Sequence, residues 1–576
     1  MPAIGLDLGA SKAVMAVLAG GEPRLILNGE HSPLIPAALA LRPAGGLLWG
    51  HAALAAPEGA VEMWLPRLGE AVPMPLGGLE YAPDELAALF FSCLRREAEA
   101  RLGRPAGRVV LATPLAFGQR QLALLRQAAR RAGLFVLAMV PSTLAAALAY
   151  RWEHPEAEPQ TMLVVDFGAG ALGVALVRTF SGALTVLGQA GDRWLGGEDF
   201  TQVIVAHLLR RLQGERGLLL DETQTARRTL RQRLRRAAEE AKVALSTLEQ
   251  VRLALPPEAL GLRVGLSEPL QRGQLKEMAG PYFTQALEVI DRALAAAGLP
   301  GEGIDAVLLA GGAARMPLWQ AELARRLRRA RFLRDFNPLT GVAMGAALWG
   351  GLVSEVHCPT CGLESPAEAT ACPRCSAPLE GEVRLACPRC FLPNRPERLS
   401  CSKCGASLRA ARRGASAVQP ASRARRPLVG WGSDGGLRCG HCGLVAPAGP
   451  SCPHCGGVVA PFVGSLSRHD LGLEREDGRM DVVVPRGQPL PTRPVWRTFA
   501  GGPEGPLEVA LYEGDKPIAR QNERCGTLRV HLPGDPEPAC SVRVAFYLDR
   551  EGLLEVRAEL GDGSGRAVDA WMEWAR

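Results

Sequence analysis

Hydrophobic and polar residues alternate in two distinct patterns over roughly the first 354 residues. Short apolar runs bounded by turn residues predict strands at Ile4–Leu8, Val109–Ala112, Met162–Phe167 and Val174–Val177. Apolar positions recurring at intervals of three and four predict helices at Gln119–Ala132 and Thr225–Leu248. Strands that alternate with helices are typical of an α/β domain, which we assign to residues 1–354.

The pattern changes twice after this region. Residues 355–460 are rich in Cys, Pro and Gly without sustained periodicity, and residues 409–436 contain an Arg-rich stretch that predicts a flexible linker. From residue 466 to 576, short alternating segments with Gly and Asp turns predict an all-β sandwich. These segments are Met480–Val484, Leu507–Tyr512, Thr527–Leu532, Ser541–Leu548 and Leu553–Leu560. The predicted fold class is therefore multi-domain: an α/β domain, small cysteine modules and a β sandwich.

Composition excludes several protein classes. The chain has 576 residues, of which 47% are hydrophobic and 22% charged, values typical of globular proteins rather than disordered ones. No uncharged apolar run is long enough to span a bilayer, and the N-terminus lacks the features of a secretory signal, so we expect a cytoplasmic protein. The net charge of +7 is too modest to indicate nucleic acid or a membrane as the partner.

The cysteines predict metal sites. Of fifteen cysteines, twelve form C-x-x-C pairs between residues 358 and 455. Successive pairs combine into three sets of four thiolates, which suit tetrahedral zinc, and each set resembles half of a short double zinc ribbon. Iron–sulfur or redox chemistry is the alternative. Residues 355–408 contain two predicted ribbons, with ligands Cys358, Cys361, Cys372 and Cys375 in the first and Cys387, Cys390, Cys401 and Cys404 in the second. The third predicted ribbon, at 437–460, has ligands Cys439, Cys442, Cys452 and Cys455. With every coordination position filled, these three zinc ions would be structural, and the ribbons would contact a protein partner or act as spacers.

Three glycine-containing segments suggest a phosphate site. Asp7 and Asp166 each end an apolar strand and precede a Gly-containing turn, and Gly311-Gly312 follows a third strand. Glycine allows backbone N–H groups to approach phosphate oxygens, and a carboxylate at a strand end can hold hydrated Mg²⁺. One such turn has little specificity, but two copies about 160 residues apart are much stronger evidence.

Together these segments resemble the nucleotide-binding domain of the 70-kDa heat-shock (DnaK-type) chaperones, within the actin-like ATPase superfamily. The matching stretches, in order, are IGLDLGASKAVMAV, VVLATPLAFGQRQLALLRQAARRAGL, STLAAALAY, LVVDFGAGALGVALV, AGDRWLGGEDF, EEAKVALS, LLAGGAARMP and NPLTGVAMGAALWGG. The resemblance implies ATP or ADP with Mg²⁺ as cofactors and Asp7 and Asp166 as catalytic residues. It implies nucleotide contacts from Gly9, Ala10, Ser11, Lys12, Gly168, Ala169, Gly170, Gly196, Gly197, Glu239, Lys242, Ser246, Gly311, Gly312 and Arg315.

Several catalytic positions depart from the family pattern. The family's Asn-Glu-Pro-Thr motif, which places a carboxylate near the metal, corresponds here to Pro141–Leu144. The segment expected to supply a catalytic Lys contains none, although Arg67 is available as a cation, and Val243 replaces an Arg of the adenine clamp. Phosphoryl transfer depends on positioned charges, so we expect weak or absent ATP hydrolysis.

The C-terminal segments resemble, in order, the peptide-binding β domain of the same family. The resemblance implies a cleft for extended apolar peptides, with pocket residues Leu473, Phe499, Leu507 and Val509. Alternating apolar residues are equally expected in a plain sandwich core. Because the sequence stops at Arg576, a helical lid is not expected, and Val353–Val356 is a poor copy of the family's interdomain linker.

The sequence leaves three functions open. The first is an ATP-binding chaperone that holds unfolded or extended polypeptide, with a possible co-chaperone on the ribbons. The second is a catalytically inactive nucleotide-binding scaffold whose ribbons recruit a protein partner. The third, which the scarcity of aromatic residues in the ribbons disfavours, is a nucleic-acid-associated regulator.

Overall fold

We describe the protein through a computed structural model, which defines most of the chain. The described residues are 3–42, 45–56, 59–154, 160–180, 183–214, 224–257, 265–353, 355–358, 360, 363–366, 369–382, 384–409, 430–431, 437–438, 445–446, 463–500, 507–531, 541–561, 564 and 566–575.

The first lobe, residues 3–154, is built on a mixed sheet covered by helices. Its strands are β1 (Ile4–Leu8), β2 (Lys12–Ala19), β3 (Glu22–Ile26), β4 (Ile35–Pro36), β5 (Leu39–Leu41), β6 (Leu47–Trp49), β7 (Met74–Leu76), β8 (Leu79–Tyr81), β9 (Arg108–Thr113) and β10 (Phe135–Pro141). Its helices are α1 (His51–Leu54), α2 (Pro83–Leu102), α3 (Gln119–Arg131) and α4 (Ser142–Glu153). The main sheet has the order β10-β9-β1-β2-β3, with β4 added to β2, while β5–β6 and β7–β8 form hairpins.

The second lobe, residues 160–340, repeats this plan. Its strands are β11 (Gln160–Phe167), β12 (Leu172–Phe180), β13 (Ala183–Asp192), β14 (Gln250–Leu255), β15 (Leu266–Gln271), β16 (Ala306–Ala310) and β17 (Arg331–Leu333). Its helices are α5 (Gly197–Gly214), α6 (Gln224–Ala244), α7 (Arg272–Ala297) and α8 (Pro317–Arg326). The main sheet runs β17-β16-β11-β12-β13, so both lobes have an antiparallel hairpin next to two parallel strands. The strands and helices predicted for this half of the chain are confirmed within a few residues, except that helix α6 ends at Ala244 rather than Leu248.

Helix α4 of the first lobe also contacts β11 and β12 of the second lobe, so it joins the two lobes. Helix α9 (Gly341–Leu352) packs on the first sheet and against α4. A Cβ at Gly345 would lie 1.8 Å from the Ala145 carbonyl oxygen, and one at Gly5 would lie 2.1 Å from the Ala347 nitrogen. Glycine at these two positions therefore allows the helices and the sheet to approach within backbone contact.

The first two cysteine modules are structural repeats of each other. They contain short strands β18 (Glu355–His357), β19 (Glu364–Pro366), β20 (Leu385–Ala386) and β21 (Pro393–Asn394). The amide N–H of the first cysteine in each of the four pairs donates to the carbonyl five residues later, at Leu363, Ala377, Leu392 and Ala406. The third module and its linker lie mostly outside the described residues, which there include only β22 (Gly430–Trp431), β23 (Leu437–Arg438) and β24 (Val445–Ala446).

The C-terminal domain is an eight-stranded antiparallel sheet folded around one core. Its strands are β26 (Leu471–Glu474), β27 (Met480–Val484), β28 (Val495–Ala500), β29 (Leu507–Glu513), β30 (Glu523–His531), β31 (Ser541–Leu548), β32 (Leu554–Leu560) and β33 (Ala567–Trp574), preceded by β25 (Val463–Gly464). The order is β27-β26-β29-β30-β33-β32-β31-β28, and β33 pairs with both β30 and β32, which joins two halves into a sandwich. The alternating pattern predicted five of these eight strands and missed β26, β28 and β33, because β26 has only four residues and the inward positions of β28 and β33 are only half-buried.

Candidate functional site

Two carboxylates occupy equivalent places in the two lobes. Asp7 on β1 is paired with Val14 of the antiparallel neighbour and Ala112 of the parallel one. Asp166 on β11 is paired in the same way with Gly173 and Ala310. Each carboxylate is the next-to-last residue of its strand, so the repeated topology places both at corresponding ends of the two sheets; we call the space between the two turns that follow them the cleft.

The carboxylates of Asp7 and Asp166 are close enough for the charge of one to affect the pKa of the other. Burial, together with the negative charge of Asp166, raises the pKa of Asp7 to about 8. Burial also raises the pKa of Asp166, while a hydrogen bond donated by the Ser142 hydroxyl opposes that rise. Ser142 is the first residue of α4, so this bond links a helix of the first lobe to a strand of the second. A pair of neighbouring carboxylates in a partly enclosed cleft favours a cation between them.

Each aspartate is followed by a turn, and the two turns contain the same kind of backbone hydrogen bond, from a glycine N–H to the carbonyl three residues later. The amide N–H of Gly9 donates to the Lys12 carbonyl at 2.9 Å, and that of Gly168 donates to the Ala171 carbonyl at 3.0 Å. The two turns also approach each other, since a Cβ at Gly170 would lie 3.0 Å from the Ala10 Cβ. The predicted phosphate loops 9–12 and 168–170 are therefore brought together at one end of the cleft.

The third predicted glycine segment joins the same site from β16. Gly311 has a φ of +83°, and a Cβ there would lie 2.3 Å from the Phe167 carbonyl oxygen and 2.9 Å from Asp166 Oδ1. Only glycine permits both the backbone conformation and this close approach. Arg315, a predicted nucleotide contact, is exposed at the end of the 3₁₀ turn Ala313–Arg315.

Two other glycines are not required by the packing of the protein. A Cβ at Gly168 would meet nothing nearer than 3.6 Å, and one at Gly312 nothing nearer than 3.9 Å. Neither residue has a positive φ. The space left by these missing side chains is available to a ligand, as expected where a phosphate or a nucleoside lies against the backbone.

The predicted adenine-clamp residues tie two helices together. The Lys242 ammonium, which is buried, donates to the Gly197 carbonyl at 2.8 Å, to Thr201 Oγ1 at 2.9 Å and to Glu239 Oε2 at 2.6 Å. Burial alone would raise the pKa of Glu239, but the charge and hydrogen bond of Lys242 bring it below its usual range. Ser246 follows α6 in a turn, where its N–H donates to the Val243 carbonyl.

The start of α5 is engaged with the second phosphate loop. The Gly197 N–H donates to the Gly168 carbonyl at 2.9 Å, and the Gly196 N–H donates to Asp199 Oδ2 at 2.7 Å. A Cβ at Gly196 would lie 2.3 Å from the Ala169 carbonyl oxygen. Gly196 and Gly197 thus shape the loop through direct contact, and their N–H groups already have protein acceptors.

Comparison with known families identifies this arrangement. The family model described as Hsp70 protein matches residues 69–359, just over half of the chain. The chain belongs to the Hsp70 family. The match covers the second phosphate loop, the clamp and the third glycine segment, and it assigns the two-lobed domain to the actin-like ATPase fold of ATP-binding chaperones. The first phosphate loop lies before the matched residues, and its equivalence to the second rests on the shared topology described above.

The predicted peptide-pocket residues of this Hsp70-family chain fall into two groups. Leu473 is buried in the core of the β domain. Phe499, Leu507 and Val509 are half-buried at the edge of that core, on strands β28 and β29. These three residues therefore lie on accessible apolar surface, whereas Leu473 supports the core beneath them.

Two segments flank the cysteine modules in the chain: Val353–Val356 before them and strand β25 after them. Val353–Val356 is a poor copy of the family's linker in sequence, and in the structure Glu355–His357 forms a hairpin with Glu364–Pro366 of the first cysteine module, with Val356 buried. A different segment reaches the nucleotide domain. Strand β25 pairs in parallel with Leu184 and Thr185 of β13 at the edge of the second sheet, directly before the β domain. The backbone geometry of the edge strand, which no local sequence pattern reports, decides this pairing.

The β domain is docked on the first lobe through polar groups that belong to no sequence motif. The side-chain amide of Gln119 donates to the Gly552 carbonyl at 2.6 Å and accepts from the Leu554 N–H at 2.8 Å. The backbone N–H of Gln119 donates to Glu513 Oε2 at 2.7 Å. The half-buried Arg468 guanidinium donates to Thr113 Oγ1 at 2.9 Å. The partners are hundreds of residues apart in sequence, so only the tertiary structure reveals them.

The cysteine clusters form a second candidate site. The sulfur atoms of Cys387, Cys390, Cys401 and Cys404 all lie within 4.8 Å of one another, as do those of Cys358, Cys372 and Cys375. Each cluster can hold a metal ion. Cys361, which we predicted to complete the first cluster, and the four cysteines 439–455 of the third lie outside the described residues. In the part of the chain that the structure describes, no helix is long and apolar enough to cross a membrane.

Proposed function

We propose that this protein is an Hsp70-type chaperone that binds ATP or ADP with Mg²⁺ and holds extended apolar polypeptide segments. The observation that carries the nucleotide assignment is the convergence of three glycine segments with Asp7 and Asp166 at the cleft. Glycines at 168 and 312, which the packing of the protein does not require, further support a ligand lying against the backbone.

The carboxylate pair suits Mg²⁺. A hard divalent cation prefers oxygen ligands, and it would offset the burial and the nearby charge of Asp166 that together raise the pKa of Asp7. When bound, the cation would neutralise charge on the nucleotide phosphates. Asp7 and Asp166 would hold it, Ser142 would orient Asp166 through its hydroxyl, and the loops 9–12 and 168–170 would position the phosphates.

We further propose that hydrolysis is weak or absent. Ser142 occupies the place where the family pattern has a carboxylate, and its hydroxyl is already engaged with Asp166. Arg67, the cation nearest in sequence to the expected catalytic Lys, pairs with Glu70 at 2.8 Å. Removal of one positioned group commonly costs about two to three orders of magnitude in rate. An ADP-release assay showing turnover equal to ordinary family members would contradict this proposal.

Calorimetric titration tests the nucleotide assignment. We expect ATP with Mg²⁺ to bind the wild-type chain, and Asp166→Ala or Gly312→Val to weaken binding at least tenfold. Gly312→Val is the sharper variant, because a Cβ at this position would come no nearer than 3.9 Å, to the Leu339 side chain, so we expect the fold to stay intact. Gly280→Ala, at an open position in α7, is the matched control and should bind normally. Absence of binding to the wild type would refute the assignment.

Fluorescence anisotropy with a short leucine-rich peptide tests the polypeptide site. Phe499 and Trp496 lie on opposite faces of β28, since Phe499 packs on the core edge and Trp496 points outward with Arg543 over its ring at 4.8 Å. We expect Phe499→Ala to weaken peptide binding several-fold and Trp496→Ala to have little effect. Thermal unfolding of both variants separates a lost contact from a lost fold. Equal effects of the two substitutions would argue against this cleft.

Zinc is the metal we propose for the cysteine clusters, as a structural ion in each. C-x-x-C pairs that ligate metal rather than form disulfides are typical of a reducing compartment, so we also propose a cytoplasmic location. A nucleotide-binding scaffold whose ribbons recruit a protein is the second candidate, favoured by the departures at Ser142 and Arg67. Peptide affinity that does not respond to ATP would favour the scaffold, and an ATP-dependent peptide off-rate would favour the chaperone.

A further inference from the structure

The second cysteine module, residues 385–408, has the geometry of a filled four-thiolate site. The Sγ atoms of Cys387 and Cys404 are 3.5 Å apart, as are those of Cys390 and Cys401. Zinc bound to four thiolates at about 2.3 Å in a tetrahedron would separate the sulfurs by about 3.8 Å, so the cluster needs only a slight expansion. The sulfurs also accept hydrogen bonds from backbone N–H groups, at 3.4 Å from Arg389 to Cys387 and at 3.4 Å from Lys403 to Cys401. Such donors stabilise the charge of metal-bound thiolates.

In each C-x-x-C turn of this module, the residue directly after the second cysteine has the left-handed backbone conformation. Phe391 has a φ of +59° and Gly405 a φ of +71°, and their N–H groups donate to the carbonyls of Cys387 and Cys401. A bulky residue such as Phe391 pays a conformational cost at positive φ. That cost is offset where the turn is held by a bound ion and by packing, because both fix the direction of the two sulfurs.

The module is packed into the first lobe rather than displayed from it. Its buried residues Cys387, Cys390, Leu392, Cys401 and Leu408 belong to the same hydrophobic core as the residues of β8 and α2. The shared core contains Tyr81, Leu86 and Phe90, all fully buried. The metal-binding turns therefore supply part of the wall that keeps water from the core of the nucleotide domain.

Polar contacts fix the same interface. The Tyr81 hydroxyl donates to the Cys390 carbonyl at 2.9 Å. The Lys403 ammonium lies 4.4 Å from the centre of the Tyr81 ring and pairs with Glu85 at 2.5 Å. Lys403 is the second residue between Cys401 and Cys404, so its position depends directly on the geometry of that turn.

We propose that zinc in the Cys387–Cys404 site is a structural component of the first lobe, so that metal occupancy and the stability of the β8–α2 segment are coupled. The inference rests on the zinc assignment proposed above. Small ribbons obtain most of their folding free energy from the metal. Loss of the ion therefore removes the cover over Tyr81 and Phe90, and the effect is expected to spread into residues 79–94, which carry these contacts.

Hydrogen exchange of the full chain, combined with metal analysis, tests this coupling. In Cys390→Ser we expect loss of one zinc ion and at least a tenfold increase in exchange over residues 79–94, with residues 272–297 of the second lobe unchanged. Cys375→Ser, which removes a thiol from the first module, is the matched control. Its expected effect lies near Arg108, whose guanidinium donates to the Leu379 carbonyl at 2.9 Å, and not in residues 79–94.

A second variant keeps the thiolates and breaks only the interface. Tyr81→Phe combined with Glu85→Gln should retain full zinc content while raising exchange over residues 79–94 several-fold. Unchanged exchange in this variant, or in zinc-depleted Cys390→Ser, would overturn the coupling while leaving the zinc assignment intact. Wild-type protein without zinc would overturn both, and calorimetry with ATP would then show separately whether the nucleotide assignment survives.

Discussion

The two lobes of the nucleotide domain share one topology but differ in what is attached to them. The first lobe carries both described cysteine modules on β8, α2 and β9, and it carries the β domain on α3. The second lobe meets the C-terminal region through the short strand β25 and through side chains such as Gln189 and Arg193. The first lobe therefore makes more of the described contacts to the cysteine modules and the β domain than the second lobe does.

Removal of zinc should give the largest difference between the lobes. We expect the first thermal transition of Cys390→Ser to fall by more than about 5 °C, since about 1 kcal/mol shifts the midpoint by roughly 2–4 °C in a domain of this size. Limited proteolysis should then cut the first lobe before the second. Simultaneous cleavage of both lobes would contradict the comparison.

Two glutamines provide a matched pair for domain docking. Gln119 of the first lobe makes three hydrogen bonds to the β domain, two through its side chain and one through its backbone N–H, and Gln189 of the second lobe donates through its side chain to the carbonyls of Leu466 and Ser467. Because the contacts of Gln119 are buried, Gln119→Ala should weaken docking by about 2–3 kcal/mol and Gln189→Ala by about 1 kcal/mol or less. Small-angle scattering and hydrogen exchange at residues 548–554 would measure undocking, and a larger effect of Gln189→Ala would show that the second lobe holds the β domain more firmly than the first.

Docking on the first lobe should depend on pH. Burial raises the pKa of Glu513 to about 7 and that of Glu551 to about 8, although Arg126 opposes the latter shift. When the domains are undocked, each carboxyl has its ordinary pKa of about 4.5 and is charged above that pH. When they are docked, Glu513 keeps its proton up to about pH 7 and Glu551 up to about pH 8, so protonation favours the docked state. Docking should therefore weaken by about 1–3 kcal/mol as the pH rises from 5 to 8.

Glu513→Gln tests the sign of this dependence, because a neutral amide cannot titrate. We expect scattering profiles of the variant to change less between pH 5 and pH 8 than those of the wild type. Docking that strengthens with rising pH would show that the charged form of Glu513 is the one favoured at the interface.

The smallest effect concerns the hydrogen bond that crosses between the lobes. Ser142→Ala removes the donor to Asp166, which should raise the pKa of that carboxyl further and lower the affinity for Mg²⁺–ATP by less than about tenfold. Ser142→Thr retains a hydroxyl and is the conservative control. A loss as large as that of Asp166→Ala would mean that Ser142 is itself an essential ligand.

Much of the fold was predictable because it rests on local patterns. The strands that contain Asp7 and Asp166 are short apolar runs followed by glycine turns. Each C-x-x-C pair predicts a tight turn that carries two thiolates. The predicted loops meet at one cleft, and only the structure revealed that the hydroxyl of Ser142 donates a hydrogen bond to Asp166 there. That contact depends on where α4 meets β11, a distance that no motif encodes.

The sequence by itself determined the elements, the thiolate sets and the three glycine segments, because each depends on residues within about a dozen positions. The tertiary structure alone decided that a cysteine module completes the core of the first lobe, that Gln119 receives the β domain and that β25 rather than Val353–Val356 reaches the second sheet. These contacts join residues separated by up to several hundred positions. They depend on complementary buried surfaces and paired polar groups, which form only once the separate elements are packed together.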